Sequence, residues 1–381
     1  MTARPVDTVR NPTWRRTADA GGPRLDHDEL PTVAGALRVL RAGICGTDLQ
    51  IQRGVRPDAA AVLGHEGLVE YRAEGGELVR GIPNPVDPHD QDSILGHSYD
   101  GLLRRWYPAG DAAATVRRNL VPARPDLPAD LSALTEPLGA VLYGWDLVAD
   151  SGGPPESAVV WGSGTTAVLT ALVAELRGTP VTLVHPRAER LAYLRGRRVL
   201  ETTVLATEAP APGAGAAFVC LPREAAGRAL GEALHTVREN AAIDLFGGFG
   251  SGTVHELTGR LELNSVRRAN VCGMPDPGTV VPVALPSGKR VRLTGHRGTS
   301  ARHLLRAQEL LTAHPRRFGP VLTHVIALAD AGPVLRSMAA DRPGARLPGE
   351  HLKVLVDPAL EPGGSREADL TTTVAALPPG C

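Results

Sequence analysis

The stretch that most constrains the fold is the apolar run SAVVW at residues 157–161, which leads through a glycine turn into the apolar, helix-periodic segment TAVLTALVAELRG. A second apolar run, PVTLVH, follows directly. Two short apolar runs joined through one helix form a βαβ unit, in which the strands are parallel and helices cover the sheet. We therefore predict a doubly wound α/β domain in this part of the chain.

The turn inside this unit matches the dinucleotide-binding pattern G-x-G-x-x-[GA] with the residues Gly162, Ser163, Gly164, Thr165, Thr166 and Ala167. The first glycine permits the tight bend, the second lets the backbone approach a pyrophosphate, and the small sixth residue allows helix and strand to pack closely. Free N–H groups at the start of the helix can then bind phosphate. Glycine turns also occur for structural reasons alone, so the turn by itself leaves both interpretations open.

The residues after the second strand bear on which dinucleotide would bind. In an NAD-binding unit, an acidic residue about 20 residues beyond the turn accepts hydrogen bonds from the adenosine ribose. Here the strand ends at His185, and Arg187 and Arg190 follow in place of a carboxylate. Guanidinium groups match a ribose 2′-phosphate, so the sequence favours NADP over NAD. The alternative is that both arginines only solvate the start of a helix.

Other patterns divide the chain into two kinds of domain. Before residue 151, runs such as GALRVLRAGI indicate strands, with a loop predicted over residues 75–88. Later, AAFVCLP, AAIDLFGG and RVRLTG predict strands, and helices are predicted over residues 223–240 and at ARHLLRAQELLTAH. The predicted domains are a strand-rich domain over 1–150, a doubly wound domain over 151–300, a return to the first domain over 301–358 and a flexible tail over 359–381.

Composition narrows the classes of function. The 41 basic residues balance 41 acidic ones, which argues against binding to nucleic acid or to a membrane. The sequence has no apolar run of signal-peptide or membrane-span length, and its four scattered cysteines do not form a disulfide framework. We therefore expect a cytoplasmic protein. Only Lys289 and Lys353 are lysines and the other basic residues are arginines, which we attribute to codon bias in a GC-rich genome.

Four residues of metal-binding types occur in the strand-rich part, namely Cys45, His65, Glu66 and Glu136. Sulfur, imidazole and carboxylate donors together suit a borderline cation such as Zn²⁺. A catalytic zinc needs three protein ligands and one exchangeable position, so one carboxylate can bind directly while the other acts through water or by exchange. Taken singly, the four could be a small buried cysteine, a hydrogen-bonded histidine, a surface acid and a helix N-terminal charge.

The segments GICGTDLQI, LGHEG, TEPLG, GSGTTA and HLKVLVDP together resemble the medium-chain zinc-dependent dehydrogenases. The resemblance is closest to the polyol, cyclitol and glucose dehydrogenase branch, and it extends over about residues 34 to 357 in that family's order and approximate spacing. It implies an α/β protein in which a Rossmann domain, with a doubly wound parallel sheet, is inserted into a GroES-like, strand-rich catalytic domain. It also implies a homodimer or homotetramer.

The same resemblance assigns roles to the metal-binding residues. Cys45, His65 and Glu66 would be ligands of one catalytic zinc, and Glu136 the neighbouring glutamate that coordinates or exchanges. Many relatives carry four clustered cysteines for a structural zinc after the GHE motif. Residues 67–135 of this chain contain no cysteine, so we predict no structural zinc.

The resemblance also implies a route for the substrate proton. Thr47 occupies the hydroxyl position that passes the alcohol proton onward, and Asp48 the position that orients the zinc-binding histidine. The family often has a histidine where this chain has Gln50, so the end of the relay differs here. His89 and His97 are both open as substitutes.

The implied reaction is reversible oxidation of a secondary alcohol of a polyol, cyclitol or sugar with NAD(P). In a GC-rich genome, an aminocyclitol intermediate of secondary metabolism is one substrate class that fits by analogy. The polar residues that we expect to favour such a substrate are Arg104, Trp106, Asn270 and Arg297. Three alternatives are a glucose 1-dehydrogenase, a zinc-free reductase on the same fold, and a non-catalytic nucleotide-binding protein.

Overall fold

A computed structural model describes residues 8–17, 23–340 and 350–379. The chain divides into two compact units, the first formed by residues 1–136 and 308–381 and the second by residues 137–307. The first unit is therefore discontinuous in sequence, and the second is a continuous insertion into it.

The strands of the described residues are, in chain order, β1 (Val9–Arg15), β2 (Arg24–Leu30), β3 (Leu37–Ile44), β4 (Glu66–Arg72), β5 (Leu78–Pro83), β6 (Val86–Asp87), β7 (Asp90–Ile94), β8 (Trp106–Tyr107), β9 (Leu120–Pro122), β10 (Ala158–Trp161), β11 (Val181–Val184), β12 (Val204–Ala206), β13 (Ala214–Val219), β14 (Val237–Asp244), β15 (Val281–Ala284), β16 (Arg290–Thr294), β17 (Leu322–Ala327), β18 (Lys353–Asp357) and β19 (Ser365–Arg366).

The α-helices are α1 (Gly46–Gln52), α2 (Asp111–Arg118), α3 (Thr135–Asp150), α4 (Thr165–Leu176), α5 (Ala188–Arg197), α6 (Arg223–Thr236), α7 (Leu263–Arg268), α8 (Ala301–Ala313), α9 (Pro315–Phe318) and α10 (Ala331–Ala339). Short 3₁₀ turns cover Ala129–Leu134, Glu256–Thr258, Gly319–Val321 and Leu328–Asp330. None of the helices in the described parts is long and apolar enough to cross a membrane.

The second unit is built on a seven-stranded sheet of order β12-β11-β10-β13-β14-β16-β15. All neighbours are parallel except β15, which pairs antiparallel with β16 at one edge. Numbered by chain order, the six parallel strands run 3-2-1-4-5-6, the order of doubly wound dinucleotide-binding domains. The order reverses between β10 and β13, where such folds bind ligands beyond the carboxyl ends of the strands.

The first unit contains an eight-stranded sheet of order β19-β17-β18-β3-β4-β5-β9, with β8 also paired to β3. Its pairs are antiparallel apart from β17 with β18. The predicted fold class, a strand-rich domain accompanied by a doubly wound parallel sheet, is confirmed. The loop predicted over residues 75–88 is wrong, because β5 and β6 lie within it.

Two predicted borders shift because neighbouring elements pack differently from what the pattern suggested. The helix before residue 151 belongs to the second unit, since Trp145 of α3 packs on Phe218 of β13 with ring centroids 4.5 Å apart. The helix predicted over residues 223–240 ends at Thr236, and the next residues begin β14. Helical periodicity does not locate such ends, because the apolar face continues from helix into strand.

Residues 359–379, for which composition predicted a flexible tail, instead pack on the first unit, while residues 380 and 381 lie outside the described part. Val374 is buried, and its N–H donates to the carbonyl of Leu127 at 2.8 Å. Arg366 in β19 pairs with Asp130 at 3.0 Å and with Asp357 at 2.9 Å. These contacts are long-range, so the proline-rich and glycine-rich composition of the segment gives no sign of them.

A serine, a histidine and an aspartate are in contact at the start of helix α8. Ser300 precedes the helix, His303 lies in its first turn and Asp146 lies on α3. Ser300 Oγ lies 2.7 Å from His303 Nδ1, and His303 Nε2 lies 3.1 Å from Asp146 of α3. Ser300 also accepts the backbone N–H of His303 at 3.3 Å, as a residue that precedes a helix does. The three side chains therefore link α3 to the start of α8, which accounts for their arrangement.

Asp244, at the end of β14, gives the second unit a pH-dependent stability. Its side chain is fully buried, and neither carboxylate oxygen has a hydrogen-bond partner among the described residues. Burial raises its pKa to about 7, with the charge of Arg267 opposing the rise. The folded state therefore holds a proton that the unfolded chain releases near pH 4.

We expect the free energy of unfolding to fall as the pH rises from about 4 to 7, by roughly 3 kcal/mol from this group. Asp244→Asn removes that share of the pH dependence, whereas Asp276→Asn, at an exposed acid of the same unit, leaves it intact. Urea unfolding at several pH values measures it. Equal pH slopes for the wild type and Asp244→Asn would contradict the assignment.

Candidate metal centre and dinucleotide turn

Three side chains of metal-binding types meet in the first unit. The donor atoms of Cys45, His65 and Glu66 all lie within 4.8 Å of one another. Cys45 follows β3 and precedes α1, while His65 stands directly before β4 and Glu66 begins it. Because β3 and β4 are antiparallel neighbours with Gly43 opposite Glu66, the register of the sheet brings the cysteine to the other two residues.

Asp48 fixes the two segments that carry these side chains. It is fully buried in the first turn of α1. One carboxylate oxygen accepts the backbone N–H of Cys45 at 2.8 Å, and the other accepts that of Gly64 at 3.1 Å. Asp48 Oδ1 is also 3.7 Å from His65 Nδ1. The carboxylate thus ties the cysteine turn to the strand that begins after His65.

The electrostatics of the cluster suit a bound cation. Burial lowers the pKa of His65, but Cys45 and Asp48 more than offset this, so the pKa lies well above its ordinary value. Nδ1 of His65 has no hydrogen-bond partner in the part of the chain that the structure describes. A cysteine sulfur, an imidazole and a carboxylate in one largely buried place form a donor set that fits Zn²⁺.

Glu136, the fourth candidate ligand, stands in the first turn of α3 and is not part of the three-residue cluster. Burial raises its pKa, the charges of Glu66 and Asp48 add to the rise, and His65 and Lys353 oppose it. Glu136 therefore lies close enough to the cluster to respond to its charges.

The candidate proton-relay residues lie on α1, in the turn between β6 and β7 that carries His89, and in the loop after β7 that carries His97. Thr47 and Gln50 are half-buried on α1, and the Gln50 side-chain oxygen has no hydrogen-bond partner among the described residues. Of the two histidines that the sequence offered as substitutes, His97 packs edge-on against His65 with ring centroids 4.7 Å apart. His89 is exposed. The geometry distinguishes them where the sequence did not.

Sequence reasoning missed Lys353, a buried lysine at the start of β18. Its ammonium group pairs with Glu66 Oε2 and donates to the carbonyl of Ile44 at 3.2 Å. The available signal was composition, because Lys353 is one of only two lysines in an arginine-rich chain. The contact could not be predicted from either segment alone, because Glu66 and Lys353 lie far apart in the sequence.

Three of the four residues expected to favour a polar substrate serve the fold instead. Arg104 is buried and pairs with Asp100 at 2.7 Å, and Trp106 belongs to a small apolar cluster. Asn270 is fully buried. Its amide nitrogen donates to the carbonyls of Thr279 and Gly295 at 2.9 Å, and its amide oxygen accepts the Thr279 N–H at 2.7 Å. A polar residue type in a sequence does not tell whether its partner is a ligand or the backbone.

The glycine turn of the second unit follows β10 and leads into α4. Gly162 has a φ of +128°, and a Cβ there would lie 2.5 Å from the carbonyl oxygen of Cys220. Gly164 precedes the helix with a φ of −81°, and a Cβ added there would have no atom within 4 Å. Ala167 is fully buried, as expected of the small residue that lets helix and strand approach.

The residues after β11 differ in what they contact. Arg190 is buried, and its guanidinium group donates to the Ser163 carbonyl at 2.9 Å and lies 3.3 Å from the Ser163 hydroxyl. Arg187 precedes α5 and is exposed, and its backbone N–H donates to His185 Nδ1 at 3.2 Å. Arg190 thus supports the glycine turn itself, and Arg187 remains the candidate for a phosphate.

Proteins of known function match part of this sequence. It is 33% identical over 178 residues to a glucose 1-dehydrogenase of Thermoproteus tenax, over 40% of this chain and 50% of that protein. It is 29% identical over 199 residues to a D-altritol 5-dehydrogenase of Agrobacterium fabrum, over 48% of this chain and 59% of that protein. The chain thus spans about half the length of these relatives. No protein-family profile matches it.

Solved structures match over nearly the full length. A protein of Sinorhizobium meliloti described as a zinc-binding dehydrogenase and bound to NADP aligns with a TM-score of 0.65 at 20% identity. The alignment covers 92% of this chain and 100% of that one. At this identity the likeness shows the fold, and the site has to be argued from the residues themselves.

Gly162→Ala should destabilise the second unit by about 3 kcal/mol, because the added Cβ meets a backbone oxygen and the φ angle is unfavourable for alanine. Gly164→Ala is the matched control, with no atom within 4 Å of the added Cβ, and should change stability by less than about 1 kcal/mol. Urea unfolding compares them. Equal losses in the two variants would show that the close approach to Cys220 does not constrain the turn.

Proposed function

We propose that this chain, which belongs to the medium-chain zinc dehydrogenase superfamily, transfers hydride between a secondary alcohol of a sugar or polyol and a nicotinamide dinucleotide. The observation that carries the proposal is the cluster of Cys45, His65 and Glu66 donor atoms within 4.8 Å of one another. The same chain contains a unit with the strand order and glycine turn of dinucleotide-binding domains. A Lewis acid and a hydride carrier are what such a reaction requires.

In this proposal Cys45, His65 and Glu66 hold one zinc ion, and Glu136 exchanges with them or acts through water. When bound, zinc polarises the substrate oxygen and makes its hydroxyl proton more acidic. Asp48 keeps the cysteine turn in place through its bonds to the Cys45 and Gly64 N–H groups. The chain's own contribution is to orient the donors before the substrate arrives.

Thr47, which follows the cysteine by two positions, is proposed to accept the proton of the alcohol. Beyond it the relay must differ from that of relatives with a histidine on the same helix. Gln50 carries an amide, which neither gains nor loses a proton near neutral pH. Proton release is therefore expected to take another route than through the side chain of Gln50.

The relatives support a polyhydroxylated substrate. Their names specify glucose for one and D-altritol, a linear polyol, for another. Oxidation at a sugar hydroxyl and oxidation at a polyol hydroxyl both transfer a hydride from a carbon that bears a hydroxyl group, so both stay within the proposal. Glucose 1-dehydrogenase activity is the second candidate, favoured by the 33% identical match, and cyclitols and aminocyclitols complete the range to be tested.

The proposed cofactor is NADP in preference to NAD. No carboxylate stands at the end of β11, where His185 is followed by the exposed Arg187. A guanidinium group there would pair with the 2′-phosphate that distinguishes NADP. Arg190 would act indirectly, by holding Ser163 in the turn.

Purified protein mixed with NADP or NAD and a panel of sugars, alditols and cyclitols should produce nicotinamide absorbance, with about one zinc per chain. Cys45→Ser should lose both zinc and turnover, since one of three ligands becomes a poor donor. Cys220→Ser is the matched control, because Cys220 lies in the second unit beside Thr170. Metal analysis and initial rates give the two measurements.

Each other outcome selects a different function. Turnover without zinc, unaffected by Cys45→Ser, would identify a zinc-free reductase on this fold. Cofactor binding by calorimetry with no turnover on any alcohol would identify a non-catalytic nucleotide-binding protein. Absence of both cofactor binding and turnover would overturn the proposal altogether.

Arg187→Ala should weaken NADPH binding by about tenfold or more, the size of a lost charge-assisted hydrogen bond, and leave NADH binding unchanged. Arg195→Ala, on the helix α5 that follows Arg187, is the control because the Arg195 guanidinium donates to the carbonyl of Leu205 at 3.1 Å. Fluorescence titration with each cofactor measures both constants. Parallel losses for NADPH and NADH would place the 2′-phosphate elsewhere.

A further inference from the structure

The buried pair of Lys353 and Glu66 adds a positive charge directly beside the candidate metal ligands. Each side chain is about 1% exposed. The ammonium contacts Oε2 of Glu66 and, at 3.2 Å, the carbonyl oxygen of Ile44. Lys353 therefore touches a proposed ligand without being able to bind a metal as an ammonium ion.

The residue type at this position is informative because the chain otherwise uses arginine. Of its 41 basic residues, only Lys289 and Lys353 are lysines. An ammonium is a compact point charge, whereas a guanidinium is a broad planar fork with five donors. The space beside Glu66 is narrow, because a Cβ on Gly43 would lie 2.5 Å from Glu66 Oε2 and 3.5 Å from Lys353 Cε.

The contact divides the two oxygens of Glu66 between two partners. Oε2 is held by Lys353, so Oε1 is the oxygen left for a metal. A carboxylate that is free at both oxygens can bind a cation with one or with both. With Oε2 held by the Lys353 ammonium, we expect Glu66 to bind a metal through Oε1.

We propose that Lys353 is a positioning residue that restricts Glu66 to one metal bond and thereby keeps a coordination position open for substrate. The inference rests on the zinc site proposed above and says how that site is kept catalytic. Zinc sites with four protein donors are closed and structural, whereas catalytic sites have three donors and an exchangeable position. If both oxygens of Glu66 bound, the exchangeable position would be taken.

The charge of the Lys353 ammonium also favours a single bond from Glu66 to the metal. A cation in the cluster and the Lys353 ammonium repel one another across a buried space, where charges interact strongly. Removal of the ammonium takes away this repulsion and leaves Glu66 without its partner. The metal then becomes the only cation that can compensate the carboxylate, and binding through both oxygens becomes favourable.

The test uses Co²⁺ as the metal probe, because its visible absorption reports coordination number. Wild-type protein loaded with Co²⁺ should show the intense bands of a four-coordinate ion, and added azide should change them by entering the open position. In Lys353→Met the bands should weaken, as for a five-coordinate ion, and azide should have little effect. Release of zinc to a chelator should slow by about tenfold.

Three further variants separate positioning from other effects. In a Glu66→Gln background, Lys353→Met should no longer change the spectrum, since the lysine sets the coordination number through the carboxylate. Lys289→Met is the matched control, because that lysine binds the carbonyls of Leu234 and His235 in the second unit. Lys353→Gln, shorter and neutral, replaces Lys353→Met if the latter does not fold.

The outcomes are distinguishable from failure of the proposed function. If the wild type binds neither Co²⁺ nor zinc, the metal site itself is refuted. If the wild type binds Co²⁺ and Lys353→Met gives the same spectrum and the same azide response, only the role of Lys353 is refuted. Faster loss of zinc from Lys353→Met would equally overturn the inference, because it would mean that the lysine strengthens the metal site.

Discussion

The cluster of Cys45, His65 and Glu66 depends on one buried carboxylate that is not among the proposed ligands. Asp48 accepts the backbone N–H groups of Cys45 and Gly64, so it joins the turn after β3 to the approach of β4. A buried carboxylate needs partners of this kind, because an unsatisfied one is strongly unfavourable. Asp48 therefore needs both N–H groups as partners. In turn, its two hydrogen bonds hold the Cys45 and Gly64 backbone segments in place relative to each other.

Acidic and basic side chains surround the hydrogen bonds of Asp48. The proposed ligands contribute a cysteine sulfur, an imidazole and a carboxylate. Asp48 and Glu136 add acidic groups close by, and Lys353 supplies a positive charge. The divalent cation of the proposed function would complete the balance of charge among these buried acids. In contrast, the Asp244 carboxylate in the second unit has no hydrogen-bond partner among the described residues, and burial raises its pKa.

Local patterns gave correct predictions where the chemistry is local. The glycine turn lies between β10 and α4, because tight turns and helix starts are specified by adjacent residues. The cluster of Cys45, His65 and Glu66 was also predictable, since each belongs to a short motif. The pairing of Lys353 with Glu66 and the internal bonds of Asn270 were not predictable, because they join residues far apart in sequence.

The discontinuity of the first unit has a consequence for synthesis of the chain. The strand that carries Lys353 and the segment that carries Arg366 are made after the second unit, whereas β3 and β4 are made before it. The second unit is one continuous segment of the chain, so it can fold as soon as it has emerged from the ribosome, while translation of the following residues proceeds. The sheet of the first unit is completed only afterwards. Until then Glu66 lacks Lys353, and Asp130 has Arg41 of β3 but lacks Arg366.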